Sequence, residues 1–209
     1  MTTLLVPVLA ALLLTMLLSR SLTAWAREPV RWWPLVLLAI VGDLVLARIP
    51  VTQVPWLIDN GHWLWLATLV AVGLVVVRNA VARRGWQRGP WLLAFVGAAM
   101  NLVVIGANAG YMPVDSVALE ATGGAAEVAD RPRYRRDVPV TSETNLAALS
   151  DVLVAPDWLP RRGVVSIGDL LLVAGLAAWL LSSANPRAAY TRTRVRRAAR
   201  RNGELASLP

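Results

Sequence analysis

The stretch Val164 to Leu181, VVSIGDLLLVAGLAAWLL, decides the orientation of the chain. It is apolar apart from Asp169 and comes close to the roughly 20 residues that a bilayer-spanning helix needs. The tail that follows it is rich in arginine, and such segments stay on the cytoplasmic side of a membrane. This span is therefore predicted to run inward and to leave the C-terminus inside. The tail arginines are Arg187, Arg192, Arg194, Arg196, Arg197, Arg200 and Arg201.

The overall composition agrees with a membrane protein. Of the 209 residues, 56% are hydrophobic and only 16% are charged, and the mean hydropathy is +0.54. These values are too apolar for a soluble domain. The chain has no cysteine and its single histidine is His62, which excludes disulfides, thiolate metal sites, iron–sulfur clusters and a multi-histidine metal site within one chain. We expect no metal and no cofactor.

Four more apolar runs precede this span, and together they predict five transmembrane helices. The loops assigned to the inner side hold seven arginines, whereas the outer loop between the second and third spans holds only Arg48. This asymmetry predicts an all-α integral membrane bundle with the N-terminus outside and the C-terminus inside. The first run is retained as a helix because Met1 to Thr3 lacks the positive charge of a signal peptide. The four runs are Leu4 to Leu18, Trp32 to Ala47, Trp63 to Val77 and Pro90 to Ala109.

The outer segment 110–163 is too long for a simple connection. It has 54 residues with eight acids and six arginines, and apolar residues are spread through it. Loops of this length are typically lids or binding loops, so the pattern predicts a partly helical extracytoplasmic cap packed on the bundle. The predicted divisions are 1–109 for transmembrane helices one to four, 110–163 for the cap, 164–182 for transmembrane helix five and 183–209 for the basic cytoplasmic tail.

Polar residues within the spans gather in the outer half of the bilayer. Asp43 and Asp169 each lie about 5 residues from the outer end of their helix, which places them roughly 8 Å deep. Because polar groups in a bilayer need partners, we predict a polar cluster that the cap closes, acting as a ligand-binding or structural site. Its members are Asp43, Asn101, Asn108, Ser166, Asp169 and, at the start of the third helix, His62.

Each of these residues also has a local interpretation. Ser166 and Asp169 have the spacing of a capping box, in which each side chain bonds to the backbone of the other. Asn108 precedes Gly110 as at a helix C-terminus, where the amide can tie down the following loop. Asp43 has no local backbone donor, which favours a functional role as much as a structural one. His62 is interpreted as an interface residue, with a ligand or proton role as the alternative.

The fourth span has a face of small and amide residues at spacings of three and four. Small residues allow helices to approach closely, and amides can hydrogen-bond across the interface. The fourth span is therefore predicted to be the central helix, received by Gly168 and Gly175 of the fifth. Its contact face is Ala94, Gly97, Asn101, Ile105 and Asn108.

Two arginine clusters suggest lipid contacts. The outer Arg131 to Arg136 patch can meet phosphate headgroups, although a solvated loop paired with Asp130 and Asp137 is the simpler interpretation. The tail lacks interleaved aromatic residues and a nucleic-acid-binding fold, so we expect no nucleic-acid partner. Attraction to anionic inner-leaflet lipids explains the positive charge of the tail more simply. The predicted headgroup contacts are Arg192, Arg194, Arg196, Arg197, Arg200 and Arg201.

Two motifs carry a resemblance. The chain has N-A-G-Y-M-P-V at 108–114 and V-S-I-G-D-L-L-L at 165–172. Together they resemble a family of small bacterial multi-pass membrane proteins known only as a domain of unknown function. The resemblance implies a location in the bacterial plasma membrane and a pairing of the two motifs, and it implies no activity. The arginine-rich C-terminal tail looks like an addition of this chain to the family's pattern. The motif residues are Asn108, Gly110, Met112, Pro113, Gly168 and Asp169.

Three functions fit these patterns. The first is a non-enzymatic scaffold or accessory subunit that joins a second copy or a membrane complex. The second is a small-ligand or proton-coupled transporter using Asp43 and Asp169, although five spans in one copy are few for a carrier built from repeats. The third is a lipid-modifying enzyme with an aspartate base and the Arg131 to Arg136 patch for phosphate, but no second catalytic group is evident.

Overall fold

The computed structural model describes residues 30–46, 54–122, 137–156 and 163–183. The predictions for the first apolar run, Arg48, the Arg131 to Arg136 patch and the C-terminal tail lie outside these residues. Within them the chain is mostly helical, with five α-helices. The helices are α1 (Trp33–Leu46), α2 (Trp56–Ala82), α3 (Arg88–Ala107), α4 (Ser116–Ala121) and α5 (Ile167–Ser183).

Helices α1, α2, α3 and α5 correspond to the second, third, fourth and fifth predicted spans, but the predicted bounds of the third and fifth spans were wrong. Helix α2 begins at Trp56 instead of Trp63, because its first turns are polar and escape a search for apolar runs. His62 consequently lies inside α2 and does not open it. Helix α5 begins at Ile167 instead of Val164, because Val164–Val165 form a strand.

Helix α3 is the central helix, as the small-residue face predicted. It packs against α2 on one side and against α5 on the other, while α1 packs chiefly on α2. The approach of α3 to α5 requires glycine. A Cβ atom on Gly175 would lie 2.6 Å from the carbonyl oxygen of Pro90 and 2.8 Å from Cβ of Ala94. These contacts confirm that Gly175 receives α3.

The cap contains β-structure, so the all-α prediction was wrong for this segment. Strand β1 (Met112–Val114) pairs in parallel with β2 (Asp137–Pro139), and β3 (Leu153–Val154) pairs antiparallel with β4 (Val164–Val165). A bridge between Val114 and Asp151 connects the two parts. Each strand has only two or three residues, which is too short for an alternating pattern to reveal it.

The cap is packed against one end of the bundle. Met112 joins a buried cluster with Leu57, Trp65, Val104 and Ile105, against which Leu149 also packs. This agrees with the expectation of a packed cap. A second cluster, formed by Val76, Ala80, Trp91 and Ala94, fills the opposite end.

Two helical segments, Asp59–Ala82 and Gly85–Ala107, are long and apolar enough to cross a membrane. The apolar segments of α1 and α5, Trp33–Gly42 and Ile167–Ser182, are shorter. The helices also carry large apolar side chains on their outer surface, such as Leu38 at 67% exposure, Val81 at 65% and Val103 at 57%.

Candidate functional site

The interface between α3 and α5 contains a closed set of hydrogen bonds among Asn101, Ser166 and Asp169, here called the Asn101 cluster. The Asn101 side-chain Nδ2 donates to Asp169 Oδ1 at 2.7 Å. The Ser166 hydroxyl donates to Asn101 Oδ1 at 2.9 Å. The structure therefore brings together three of the predicted site residues, which lie up to 68 positions apart in the chain.

The same residues form the predicted capping box at the start of α5. The backbone N–H of Asp169 donates to Ser166 Oγ at 3.0 Å, and the backbone N–H of Ser166 donates to Asp169 Oδ2 at 3.4 Å. An acid in the first turn also interacts favourably with the helix dipole. The capping box is thus confirmed, and Asn101 extends it across to a second helix.

Gly168 makes this arrangement possible. A Cβ atom at this position would lie 2.8 Å from Cγ of Asn101 and 2.8 Å from the carbonyl oxygen of Gly97. Any side chain here would therefore push Asn101 out of reach of its partners. The glycine of the second motif is explained by this close approach.

The hydrogen bonds restrict the chemistry available to the cluster. Both carboxylate oxygens of Asp169 accept hydrogen bonds. The Ser166 hydroxyl donates to an amide oxygen, which is not a base that could activate it as a nucleophile. Among the described residues, no group of three or more His, Asp or Glu side chains could hold a metal ion.

A second polar contact, here called the Asn108 clamp, holds the cap on the end of α3. Asn108 Nδ2 donates to the carbonyl oxygen of Asn145 at 2.9 Å, and the N–H of Asn145 donates back to Asn108 Oδ1 at 3.0 Å. The Asn145 side chain donates to the carbonyl oxygen of Ala107 at 3.0 Å. This confirms the loop-tying role of Asn108. Asn145 was missed, because an asparagine in a turn 37 residues away carries no sequence signal for this pairing.

Gly110 lies in the turn that follows α3 and adopts a left-handed φ, the conformation for which the sequence made it available. Its φ is +89° and its N–H donates to the carbonyl oxygen of Ile105 at 2.9 Å. The turn also leaves room for His62, because a Cβ atom on Gly110 would lie 2.9 Å from Cδ2 of the histidine. The first motif then continues into β1, where Met112 and Pro113 are both buried and the Pro113 carbonyl accepts from the N–H of Asp151 at 3.0 Å.

His62 lies beside this turn and outside the Asn101 cluster. Its ring stacks on that of Tyr111 with the centroids 4.3 Å apart, and it also contacts Trp63. It is 5% exposed, and its Nδ1 has no hydrogen-bond partner among the described residues. The structure therefore places His62 at an interface between the bundle and the turn that leads into the cap.

The prediction that Asp43 joins this group falls outside the part of the chain that the structure describes. The backbone of Asp43 lies in α1, but its side chain lies outside the described residues. Helix α1 packs chiefly on α2, whereas Asp169 lies between α3 and α5.

A polar site at the opposite end of the bundle was missed by sequence reasoning. The fully buried Asn79 pairs with the backbone of Arg31, accepting from its N–H at 2.9 Å and donating to its carbonyl oxygen at 2.9 Å. Arg83 donates to Asn79 Oδ1 at 2.7 Å and lies over the rings of Trp91 and Trp179 at 4.8 and 6.0 Å. Asn79 lies beyond Val77, where the predicted third span ends, so a search for polar residues within the spans did not reach it.

A family model described as a family of unknown function (DUF5317) matches residues 27–181. The chain belongs to this family. The matched region contains both motifs, the Asn101 cluster and the Asn108 clamp, and it ends before the arginine-rich tail. No curated protein and no solved structure matches the chain.

Proposed function

We propose that this member of the DUF5317 family is a multi-pass protein of the bacterial plasma membrane that acts without catalysis, as a scaffold or accessory subunit. In this proposal five helices cross the membrane with the N-terminus outside and the C-terminus inside. The cap lies on the outer face, where it presents a fixed surface to a second copy or to another membrane protein.

The outer surface of the helices supports the membrane assignment. Leu38 on α1, Val81 on α2 and Val103 on α3 are all more than half exposed. A soluble protein would bury such residues, whereas the acyl chains of a bilayer solvate them. The arginines of the described helices also lie at the end opposite the cap, in agreement with an inner position for that end.

The closure of the Asn101 cluster is the observation that carries the scaffold role. A ligand or an exchangeable proton needs polar groups that it can occupy. Here the side chains of Asn101, Ser166 and Asp169 are engaged with one another and with the start of α5. The cluster therefore acts as a structural lock that holds α5, and the strand leading into it, against α3.

The experiment compares Asp169→Asn with Asp59→Asn in the full-length protein. Asp59 is an exposed acid in the first turn of α2, so its variant removes the same charge without touching the cluster. We expect Asp169→Asn to lower the melting temperature of the protein. We also expect it to weaken assembly, which is measured by light scattering after gel filtration. Asp59→Asn should resemble the unmodified protein.

The same proteins in proteoliposomes test the transport alternative. A pH-sensitive dye inside the vesicles reports proton flux, and the scaffold role predicts none above that of empty vesicles. A flux that disappears in Asp169→Asn while the variant stays folded would refute the scaffold role and support a transporter.

One observation favours the transport alternative at a different residue. The Nδ1 atom of His62 is buried without a partner among the described residues, and a buried polar atom of this kind can hydrogen-bond to a ligand. The alternative predicts that His62→Gln and Asp43→Asn each abolish a pH-dependent flux. The scaffold role predicts that neither variant changes vesicle permeability.

A further inference from the structure

In the part of the chain that the structure describes, the bundle end opposite the cap carries positive charge without matching negative charge. Arg31 precedes α1, Arg78 lies in the last turns of α2, Arg84 lies between α2 and α3, and Arg88 is the first residue of α3. The chain has no acidic residue between Asp59 and Asp115. Among the described residues, no carboxylate pairs with any of these four arginines. Their counter-ions must therefore come from outside this part of the chain.

One part of this surface has a strained backbone. Trp32 adopts a left-handed conformation with φ of +63°, which is unfavourable for an aromatic residue. The strain is maintained by the buried Asn79, whose amide pairs with both the N–H and the carbonyl of Arg31. Strain held in place by a buried residue is typical of functional positions. The strained residue here is Trp32, which makes its indole a candidate functional group.

The indole lies under the guanidinium of Arg78. The distance from Arg78 Cζ to the Trp32 ring centroid is 5.9 Å, and Trp32 is 50% exposed. A cation–π contact uses the flat face of the guanidinium. The N–H groups in its plane have no hydrogen-bond acceptor among the described residues. This planar set of donors matches the oxygens of a phosphate group.

We propose that Arg31, Trp32 and Arg78, here called the α1–α2 corner, bind the phosphate of an anionic phospholipid headgroup. The inference rests on the membrane location proposed above. In this arrangement Trp32 orients Arg78, and Asn79 is a positioning residue that keeps Trp32 in place. The negative charge of the headgroup supplies a counter-ion for the two arginines.

The surroundings of the corner favour a lipid over a soluble anion. Along α1 the side chains of Trp33, Leu37, Leu38 and Val41 are all exposed. A phosphate at the corner would therefore leave its acyl chains next to an apolar helix surface. Tryptophan at such a position also suits the boundary between headgroups and acyl chains.

The test measures lipid binding to the full-length protein in detergent by native mass spectrometry. Phosphatidylglycerol and phosphatidylcholine are added in equal amounts, and the ratio of bound anionic to zwitterionic lipid is recorded. We expect Arg78→Gln to lower this ratio by about tenfold or more, the effect of losing a hydrogen bond between charged groups. Arg84→Gln is the matched control, because Arg84 is exposed at the same end and makes no contact with Trp32 among the described residues.

Two further variants separate the site from a folding defect. Trp32→Gly removes the indole but tolerates the left-handed backbone, so it should lower the ratio without unfolding the protein. Arg78→Lys keeps the charge but loses the planar donors, and it should give an intermediate ratio. Circular dichroism of each variant checks that the helices are retained.

Three results would overturn the proposal. Equal losses for Arg78→Gln and Arg84→Gln would mean that the lipid responds to the net charge alone. An unchanged ratio in a folded Trp32→Gly protein would show that the α1–α2 corner does not bind the lipid. Displacement of bound phosphatidylglycerol by millimolar inorganic phosphate would identify a soluble anion as the ligand. Failure of the protein to insert into vesicles would contradict the membrane location itself, and so is distinguishable from failure of the site.

Discussion

The substitution Gly168→Ala tests whether the close approach of α3 and α5 holds the bundle together. The new methyl group would lie 2.8 Å from the carbonyl oxygen of Gly97 and 2.8 Å from Cγ of Asn101. Both are well inside van der Waals contact, and one of them belongs to the backbone of a packed helix. We therefore expect α5 to move away from α3 and the Asn101 side chain to lose its partners.

The magnitude follows from the bonds at risk. The hydrogen bond from Ser166 to Asn101 contributes about 1 kcal/mol, and the bond from Asn101 to the Asp169 carboxylate contributes about 1.5–3 kcal/mol. Replacing glycine by alanine in a helix returns at most about 1 kcal/mol, and less in the first turn. The net expectation is a loss of about 2–3 kcal/mol in the free energy of unfolding.

Gly106→Ala is the matched control. Gly106 lies near the end of α3, and a Cβ atom there has no heavy atom within 4 Å. The same substitution should therefore be neutral or stabilise the protein by up to about 1 kcal/mol, through helix propensity alone. The two variants are predicted to shift stability in opposite directions.

The measurement is denaturation in a fixed detergent, followed by intrinsic tryptophan fluorescence. Trp91 and Trp179 contact each other with ring centroids 5.2 Å apart, on the α3 and α5 helices, so their emission reports separation of the two helices. A Gly168→Ala protein as stable as Gly106→Ala would show that the helices do not depend on this contact. The proposed structural lock would then be wrong.

Three further predictions concern the other polar contacts. Asn145→Ala should lower the free energy of unfolding by about 1–3 kcal/mol and speed proteolysis of the cap. A double-mutant cycle with Asn108→Ala should show strong coupling, and additive effects would argue against the clamp. Asn79→Ala should lower the melting temperature, because the backbone N–H and carbonyl of Arg31 lose their partner; an unchanged value would mean that this segment is held by other contacts. Gly110→Ala should lower the free energy of unfolding by about 1–3 kcal/mol because the φ of Gly110 is +89°, whereas Ala109→Gly should be tolerated. Equal losses of stability in the two variants would mean that Gly110 is not needed for this turn.

Much of the helical framework could be predicted from local sequence patterns. Apolar runs identified α1, α2, α3 and α5, and the spacing of Ser166 and Asp169 identified the start of α5. Gly110 marked the end of α3. These features depend on residues within one or two turns of one another, so the sequence by itself contains the physical information that determines them.

The partners of the polar side chains were decided only by the tertiary structure. Asn101 is 65 residues from Ser166, Asn79 is 48 from Arg31, and Asn145 is 37 from Asn108. The short strands of the cap likewise form only through pairing with distant segments. A buried amide must find a donor or acceptor, but nothing local specifies which one. The packing of α3 against α5, made possible by glycine at the contact points, brings Asn101 to Ser166 and Asp169 and so turns a local helix cap into a lock between two helices.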